Sequence, residues 1–374
     1  MFTIKTLNAI DQAGLIRFPA ADFILDDSCE NPDAIVVRSA KMLDYQPGDK
    51  LLCVARAGAG YNNIPTERFA ENGIVVFNTP GANSNAVKEL AVAALLLASR
   101  NIIGGIDWCR SIADQGDGIA ALVEKGKSRF TGPEIMGKTL GLLGLGAVGA
   151  KVAKAAHGMG MNVLGCDPFL SDALRAELSG IVEMVSTQEE LFRRSEYLSL
   201  HLPLNDATQN TIRKETLAVM PDGVKIINIA RGELVNDADM AEALKSGKAA
   251  RYVTDFPNAA TVVMEGCVSI PHLGASTPES ETNCAIMAAD QVKEYVLNGN
   301  IINSVNLPNV RLARTGAHRV LVLAKQEAEV RLNADAVAEA NRGGYKAVIA
   351  EGAENFNAAA LAAIPGVLRV RVIA

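Results

Sequence analysis

Residues 140–149 read LGLLGLGAVG and constrain the fold more than any other stretch. An apolar run from Thr139 to Leu145 leads into Gly144-x-Gly146-x-x-Gly149. An alanine-rich helical pattern follows, from Ala150 to Met159. Strand, glycine turn and helix in that order form a phosphate-binding βα unit. Gly144 permits the tight turn, Gly146 lets backbone approach a pyrophosphate, and Gly149 lets the helix pack close to the strand. The helix N-terminus supplies free N–H groups and partial positive charge. A second apolar strand, Met161 to Cys166, ends at Asp167, 18 residues after Gly149. A carboxylate there accepts from a ribose 2′-hydroxyl and repels a 2′-phosphate, which points to NAD rather than NADP. A βα turn without a ligand is the other reading, and Asp167 at this spacing weighs against it.

At 374 residues the chain is too long for one ordinary core, so two or three domains are expected. The net charge of −6 gives no reason to expect nucleic acid or an anionic membrane surface as a partner. No apolar run approaches the roughly 20 residues of a membrane span. The N-terminal MFTIKTLNAI lacks the basic-then-apolar layout of a signal peptide. Six scattered cysteines show no metal-ligand spacing, so no metal is expected. These features together predict a cytoplasmic protein with reduced thiols.

Ahead of the glycine turn, strand candidates are Ala34 to Val37, Leu51 to Ala55 and Ile74 to Phe77. Each is followed by a polar loop: Arg38-Ser39, Arg56-Ala57-Gly58-Ala59-Gly60, and Asn78-Thr79-Pro80-Gly81. Alternating β and α units predict a parallel sheet, with functional groups beyond the carboxyl ends of its strands. Residues 86–99 form a long, nearly all-apolar helix. After the glycine turn, strands at 197–201, 225–229, 252–254 and 268–270 complete a six-stranded doubly wound domain. A long helix over 277–298 carries the chain back, making the first domain discontinuous. The expected division is 1–97 with 277–306, then 98–276, then 318–374. Residues 310–317 read as a linker. The tail reads strand 318–324, helix 333–341, strand 345–350, helix 357–363 and strand 367–373, a small separate α+β domain.

Three later segments place a polar group just past a strand: Arg231 after INIA, Asp255 after YVT, and His272 after VSIP. In a doubly wound sheet these ends open on one side. A guanidinium grips a carboxylate in a two-point fork. An imidazole carries a proton near neutral pH. Together they suit hydride transfer on a 2-hydroxy acid. His157 falls within the glycine-turn helix and reads as structural, whereas His201 ends a strand.

GLLGLGAVG, GCDP, HLPL, INIARGELV and PHLGAST, in this order, resemble the D-isomer-specific 2-hydroxyacid dehydrogenases. The resemblance implies a Rossmann-type NAD domain inserted in a flavodoxin-like α/β substrate domain. It implies that Arg231 binds the substrate carboxylate and that His272 accepts the hydroxyl proton. Asp255 sits near the nicotinamide carboxamide. Ala147 and Val148 offer backbone N–H groups to the pyrophosphate. His201, Pro203, Ala230 and Gly274 line the cofactor site through their motifs. VVRSA, VARAGAGYNNI and NTPGANS narrow the match to members with phosphorylated 2-hydroxy acids as substrates. Ala57, Gly58 and Ala59 then hold the carboxylate by backbone, Arg38 (with Ser39) and Arg56 serve the phosphate, and Asn78 sits at the edge of the site. Reductases of glyoxylate or hydroxypyruvate, and non-catalytic NAD-sensing corepressors, are the alternatives on this fold. The apolar helix at 86–99 and the segment 101–131 around Trp108 imply a homodimer or homotetramer.

Three departures matter. The family carries a Glu a few residues past the Asp255 position, paired with the His; this chain has Ala259 and Ala260 there, and Glu265 lies only seven residues before His272. His272 is therefore expected to work without a carboxylate partner. Ala147 replaces an Arg that helps relatives hold the pyrophosphate, so NAD is expected to bind more weakly. GYKAVIAEG and AAIPGVLRVRVIA resemble an ACT regulatory domain, short by one strand. Leu323 to Glu327 lacks the His-x-Asn with which relatives bind serine. A role in subunit pairing is expected instead.

Overall fold

The computed structural model describes every residue except 317, 354 and 374. The chain forms two compact units, 1–83 with 278–374, and 84–277.

The first unit opens with β1 (Phe2–Leu7), β2 (Phe23–Leu25), β3 (Ala34–Val37), β4 (Cys53–Arg56) and β5 (Val75–Phe77). They pair in parallel in the order β2-β1-β3-β4-β5. This is the flavodoxin-like order of a doubly wound sheet. Every residue of β3 and β5 is buried, which is why both read as continuous apolar runs. Helix Pro278–Asn298 returns to this sheet and buries Ala288, Val292, Tyr295 and Val296 against it. Tyr295 meets Phe77 edge-on, centroids 5.6 Å apart.

The second unit holds β6 (Thr139–Leu143), β7 (Asn162–Cys166), β8 (Glu183–Met184), β9 (Tyr197–Leu200), β10 (Val224–Asn228), β11 (Ala249–Thr254) and β12 (Cys267–Ser269). The sheet is parallel in the order β12-β11-β10-β9-β6-β7-β8. The strand order reverses between β6 and β9, the position where ligands bind in such sheets. Seven strands stand where six were expected. The addition is β8, whose two residues are too few for a periodic signal.

The boundary also differs from expectation. Helix Ser84–Ser99 belongs wholly to the second unit, because Ala91, Ala94, Leu95 and Ala98 are buried in its core with Ala150, Ala153 and Ile227. Those residues are covered within the chain, whereas Leu96 on the same helix stays exposed.

The tail departs most. It contains β13 (His318–Lys325), β14 (Ala336–Arg342), β15 (Tyr345–Gly352) and β16 (Val367–Ile373), antiparallel in the order β14-β15-β13-β16. The expected helix at 333–341 is strand β14. Gly343 and Gly344, at φ +56° and +80°, form the two-residue turn of a β14–β15 hairpin. The tail thus has four strands, one more than the sequence suggested. Among the described residues from β13 to β16 only Ala358–Ala362 is helical.

Nor is the tail a separate body. Leu321, Leu323, Ala347 and Ile349 enter one core with Tyr295, Val296 and Val75. Arg369 donates to the Leu51 carbonyl (2.8 Å), and Arg371 to those of Tyr295 and Val296 (2.8 and 2.7 Å). Of the expected linker, Val310 is buried and pairs with Ile301, while residue 317 lies outside the described residues. Among the described residues no single helix is long and apolar enough to cross a membrane.

Candidate active site

The second unit builds its site at the carboxyl ends of β6, β7, β9, β10, β11 and β12. Gly144 has φ +92°, and a Cβ there would lie 2.7 Å from the His201 carbonyl oxygen. A Cβ on Gly149 would lie 2.2 Å from the Gly144 carbonyl oxygen. Both positions therefore require glycine. Gly146 is different, because a Cβ there would meet nothing within 4 Å. It opens the helix Ala147–Gly158 without a side-chain cap, which leaves the first N–H groups, Ala147 and Val148 among them, unclaimed by a cap. Open space before free N–H groups fits a pyrophosphate.

Asp167 is half-buried beside that turn. Its Oδ2 accepts from Leu145 N (2.8 Å) and its Oδ1 from Phe169 N (2.9 Å). The carboxylate is thereby aimed from β7 across the glycine loop. His201 N donates to Leu143 O (2.8 Å), and its Nε2 lies 3.0 Å from Ser199 Oγ. Desolvation pushes His201 down to about 4, so it is neutral at pH 7. Pro203 is exposed and its carbonyl accepts from Thr208 Oγ1 (2.7 Å).

Asp255 is fully buried at the end of β11. Its Oδ2 accepts from the buried Gly274 N (3.2 Å), while Oδ1 has no hydrogen-bond partner among the described residues. A buried orphan acceptor fits an incoming amide donor such as a carboxamide. Burial pushes the Asp255 carboxyl up, and the charges of His272 and Arg231 and the Gly274 N–H oppose that rise. Arg231 and His272 are both exposed. Arg231 donates to the Ala230 carbonyl (2.6 Å). The His272 ring lies tilted at 46° against that of Phe256, centroids 4.5 Å apart. A cavity of about 580 Å³ adjoins His272, Asp255 and Phe256 and is also lined by Glu233, Asp237 and Asn258. Glu265 is exposed in the turn before β12.

Sequence reasoning missed two residues here. Asn228, fully buried, clasps the Arg231 turn: its Nδ2 donates to Arg231 O (2.8 Å), and its Oδ1 accepts from Ala230 N (3.2 Å) and Arg231 N (3.3 Å). An Asn closing a turn on its own backbone is a recognisable signal. Phe256 carries no such pattern.

The first unit gathers its own set at the carboxyl ends of β3, β4 and β5. Arg56 Nε donates to Arg38 O (3.0 Å), Asn78 Nδ2 to Ala59 O (2.6 Å), and Ala57 N to Val37 O (2.7 Å). Gly58 has φ +148°, and the Arg56 guanidinium occupies the place of a Cβ there, 1.6 Å from its ideal position. Ser39 N donates to Asn8 Oδ1 (3.0 Å). Arg38 is already engaged, with Nη2 2.5 Å from Glu281 Oε1.

Residues 92–274 match the family described as D-isomer specific 2-hydroxyacid dehydrogenase, NAD binding domain. The D-3-phosphoglycerate dehydrogenase of Methanocaldococcus jannaschii is 35% identical over 84% of this chain and 59% of its own length. The hydroxypyruvate reductase of Thermotoga maritima is 34% identical over 70% of this chain and 83% of its own length. The structure of NAD+-bound 3-phosphoglycerate dehydrogenase from Entamoeba histolytica superposes with a TM-score of 0.62 at 26% identity, over 82% of this chain and 98% of that one. The chain spans little more than half the length of two of its curated relatives, 59% and 52%.

Proposed function

The chain belongs to the D-isomer-specific 2-hydroxyacid dehydrogenase family, with its NAD-binding domain at 92–274, and from that premise we propose that it oxidises D-3-phosphoglycerate to 3-phosphohydroxypyruvate. That reaction opens the phosphorylated route to serine, and its expected place is the cytoplasm. One observation carries the choice of substrate. Two arginines, Arg38 and Arg56, stand together at neighbouring strand ends, tied by the Arg56 Nε to Arg38 O bond. Paired guanidiniums suit a phosphate dianion, and an unphosphorylated acid gains little from both.

In this reading the exposed Arg231 guanidinium forks onto the substrate carboxylate. In the first unit, the backbone at Ala57, Gly58 and Ala59 serves carboxylate binding, with Asn78 beside it. Bound NAD would supply the hydride acceptor for C2. His272 takes the proton of the C2 hydroxyl as the C2–H bond breaks and the carbonyl forms. Gly144, Gly146, Gly149, Ala147 and Val148 hold the pyrophosphate, Asp167 the ribose, and the orphan Oδ1 of Asp255 the carboxamide. His201, Pro203, Ala230 and Gly274 line that site. His201, being neutral, adds no charge to it.

The Arg38–Glu281 pair favours a second reading, reduction of unphosphorylated hydroxypyruvate or glyoxylate, because it offsets one of the two charges. An exposed pair of this kind is worth at most about 1 kcal/mol, so a phosphate displaces it. Glu281→Gln is therefore expected to lower KM for D-3-phosphoglycerate about 2–5-fold, with kcat unchanged and the gain shrinking at high salt. An unchanged KM removes Arg38 from the phosphate site.

The deciding assay is NAD reduction at 340 nm with D-3-phosphoglycerate beside D-glycerate, and phosphohydroxypyruvate with NADH in reverse. Turnover confined to the phosphorylated pair is expected. Turnover of only the unphosphorylated acids selects the reductase. NADH binding without turnover in either direction selects a sensor.

A homodimer or homotetramer completes the proposal. Helices Ile102–Ser111 and Ile119–Gly126 bury no residue, and Ile102, Ile103 and Ile106 are exposed. They border an apolar cavity of about 560 Å³ with Trp108 and Phe130. Light scattering at working concentration is expected to read at least a dimer mass, and a monomer refutes it.

A further inference from the structure

An exposed imidazole that must take a proton from one hydroxyl needs its plane held. Among the described residues the His272 ring makes no ion pair with a carboxylate, and its ring contact is with Phe256. The Phe256 ring also lies 5.9 Å from Cζ of Arg231. One aromatic ring thus contacts His272 and lies within cation–π range of Arg231, the two groups that the proposed reaction uses.

Phe256 is itself well fixed. Its N–H donates to Thr254 Oγ1 (3.1 Å), tying it to the end of β11. Pro257 follows and restricts Phe256 to extended backbone. A Cβ on Gly232 would lie 3.4 Å from Phe256 Cβ, so the glycine after Arg231 leaves room for the ring against that turn. The residue is half-buried and lines the cavity that Asp237 and Asn258 also line.

We propose that Phe256 is a positioning residue, a shared platform that orients the His272 imidazole by ring contact and the Arg231 guanidinium by cation–π attraction. Aromatic pairs have preferred tilts and spacings, so the contact specifies a plane as well as a place. The buried Asp255 at the end of β11 feels the charges of both His272 and Arg231; Glu233 and Asp237 border the adjoining cavity. The inference rests on the acid–base role assigned above to His272.

The test is proton NMR of His272 in the cofactor-free full chain, its resonance assigned by loss in His272→Asn. In the wild type, the ring current of Phe256 displaces the His272 ε1 proton from the position of the exposed His157. Phe256→Met abolishes that displacement. The same variant lowers kcat about 10–100-fold, the cost of a misplaced reacting group. Phe256→Tyr, which keeps the ring, restores both. Phe256→Leu is the second ring-less variant should methionine fail to fold. An undisplaced wild-type resonance overturns the proposal, as does a ring-less variant with the wild-type resonance position. Absence of turnover in the wild type strikes the acid–base reading alone, because the NMR comparison needs neither substrate nor cofactor.

Discussion

Replacing His272 with glutamine lowers kcat for D-3-phosphoglycerate oxidation by about 10²–10⁴-fold, the usual contribution of a positioned acid–base group. Affinity for NADH, read by fluorescence titration, stays within about twofold, since the glycine turn and Asp167 are untouched. The loss is large because the site holds no substitute base. Asp255 feels the charge of His272, but it is fully buried and its Oδ2 is committed to the Gly274 N–H. Arg231 does not deprotonate in proteins. Glu265 sits exposed in the preceding turn. Glutamine keeps a polar group of similar reach, so the effect reports the lost proton acceptor rather than a cavity. A loss under about 10-fold assigns the proton to another group.

Arg319→Met destabilises the first unit by about 3–5 kcal/mol at pH 7, the cost of stranding one member of a buried pair. Arg319 and Glu351 are buried on paired positions of β13 and β15. Arg319 Nη1 lies 3.6 Å from Glu351 Oε1, and its Nη2 donates to the Leu312 carbonyl. Glu351 Oε2 accepts from Thr315 N (2.9 Å), Thr315 Oγ1 (2.8 Å) and Gly316 N (3.1 Å). The pair thus pins residues 312–316 to the C-terminal sheet. Desolvation pushes the Glu351 carboxyl up, but the Thr315 hydrogen bonds, the Arg319 charge and the Gly316 N–H outweigh it and hold the group below its ordinary value of 4.5. A depressed carboxylate stabilises the fold fully above its unfolded pKa, and the stabilisation is lost as pH falls through the folded value. Wild-type stability therefore declines below about pH 4.5 through this group. Without Arg319 the buried carboxyl protonates more readily, so the penalty shrinks toward pH 4. Urea titrations at pH 7 and pH 4, followed by circular dichroism, measure both effects. A penalty under about 1 kcal/mol at pH 7, or one that grows at pH 4, contradicts the account.

The tail shows why part of the fold escaped the sequence. NADAVAEAN is rich in alanine, the best helix former, and reads as a helix. It becomes β14 because Gly343-Gly344 turns the chain back and β15 supplies a partner. That glycine pair was a legible hairpin signal; local propensity concealed it. The docking of the tail had no signal, since no local pattern ties Arg369 or Arg371 to the carbonyls of Leu51, Tyr295 and Val296. Helix Ser84–Ser99 read as nearly all apolar, and Ala91, Ala94, Leu95 and Ala98 are covered within its own unit. At the site, Arg231, Asp255 and His272 were legible because each stands just past an apolar strand. Asn228 and Phe256 act through neighbours, and a neighbour across a turn or a loop leaves no period in the sequence.

By itself, the sequence determined the parallel α/β class, the glycine turn at 144–149 with Asp167 beyond it, and the residues that end the strands. These follow from local rules: apolar runs make buried strands, glycine alone tolerates Gly144's φ, and groups past strand ends face the ligand side. Tertiary structure alone decided that helix Ser84–Ser99 joins the second unit, that the tail clamps the first, that Glu281 engages Arg38, and that one aromatic ring serves both Arg231 and His272. Each is a contact between residues distant along the chain or across a turn, fixed by packing that no short window of sequence contains.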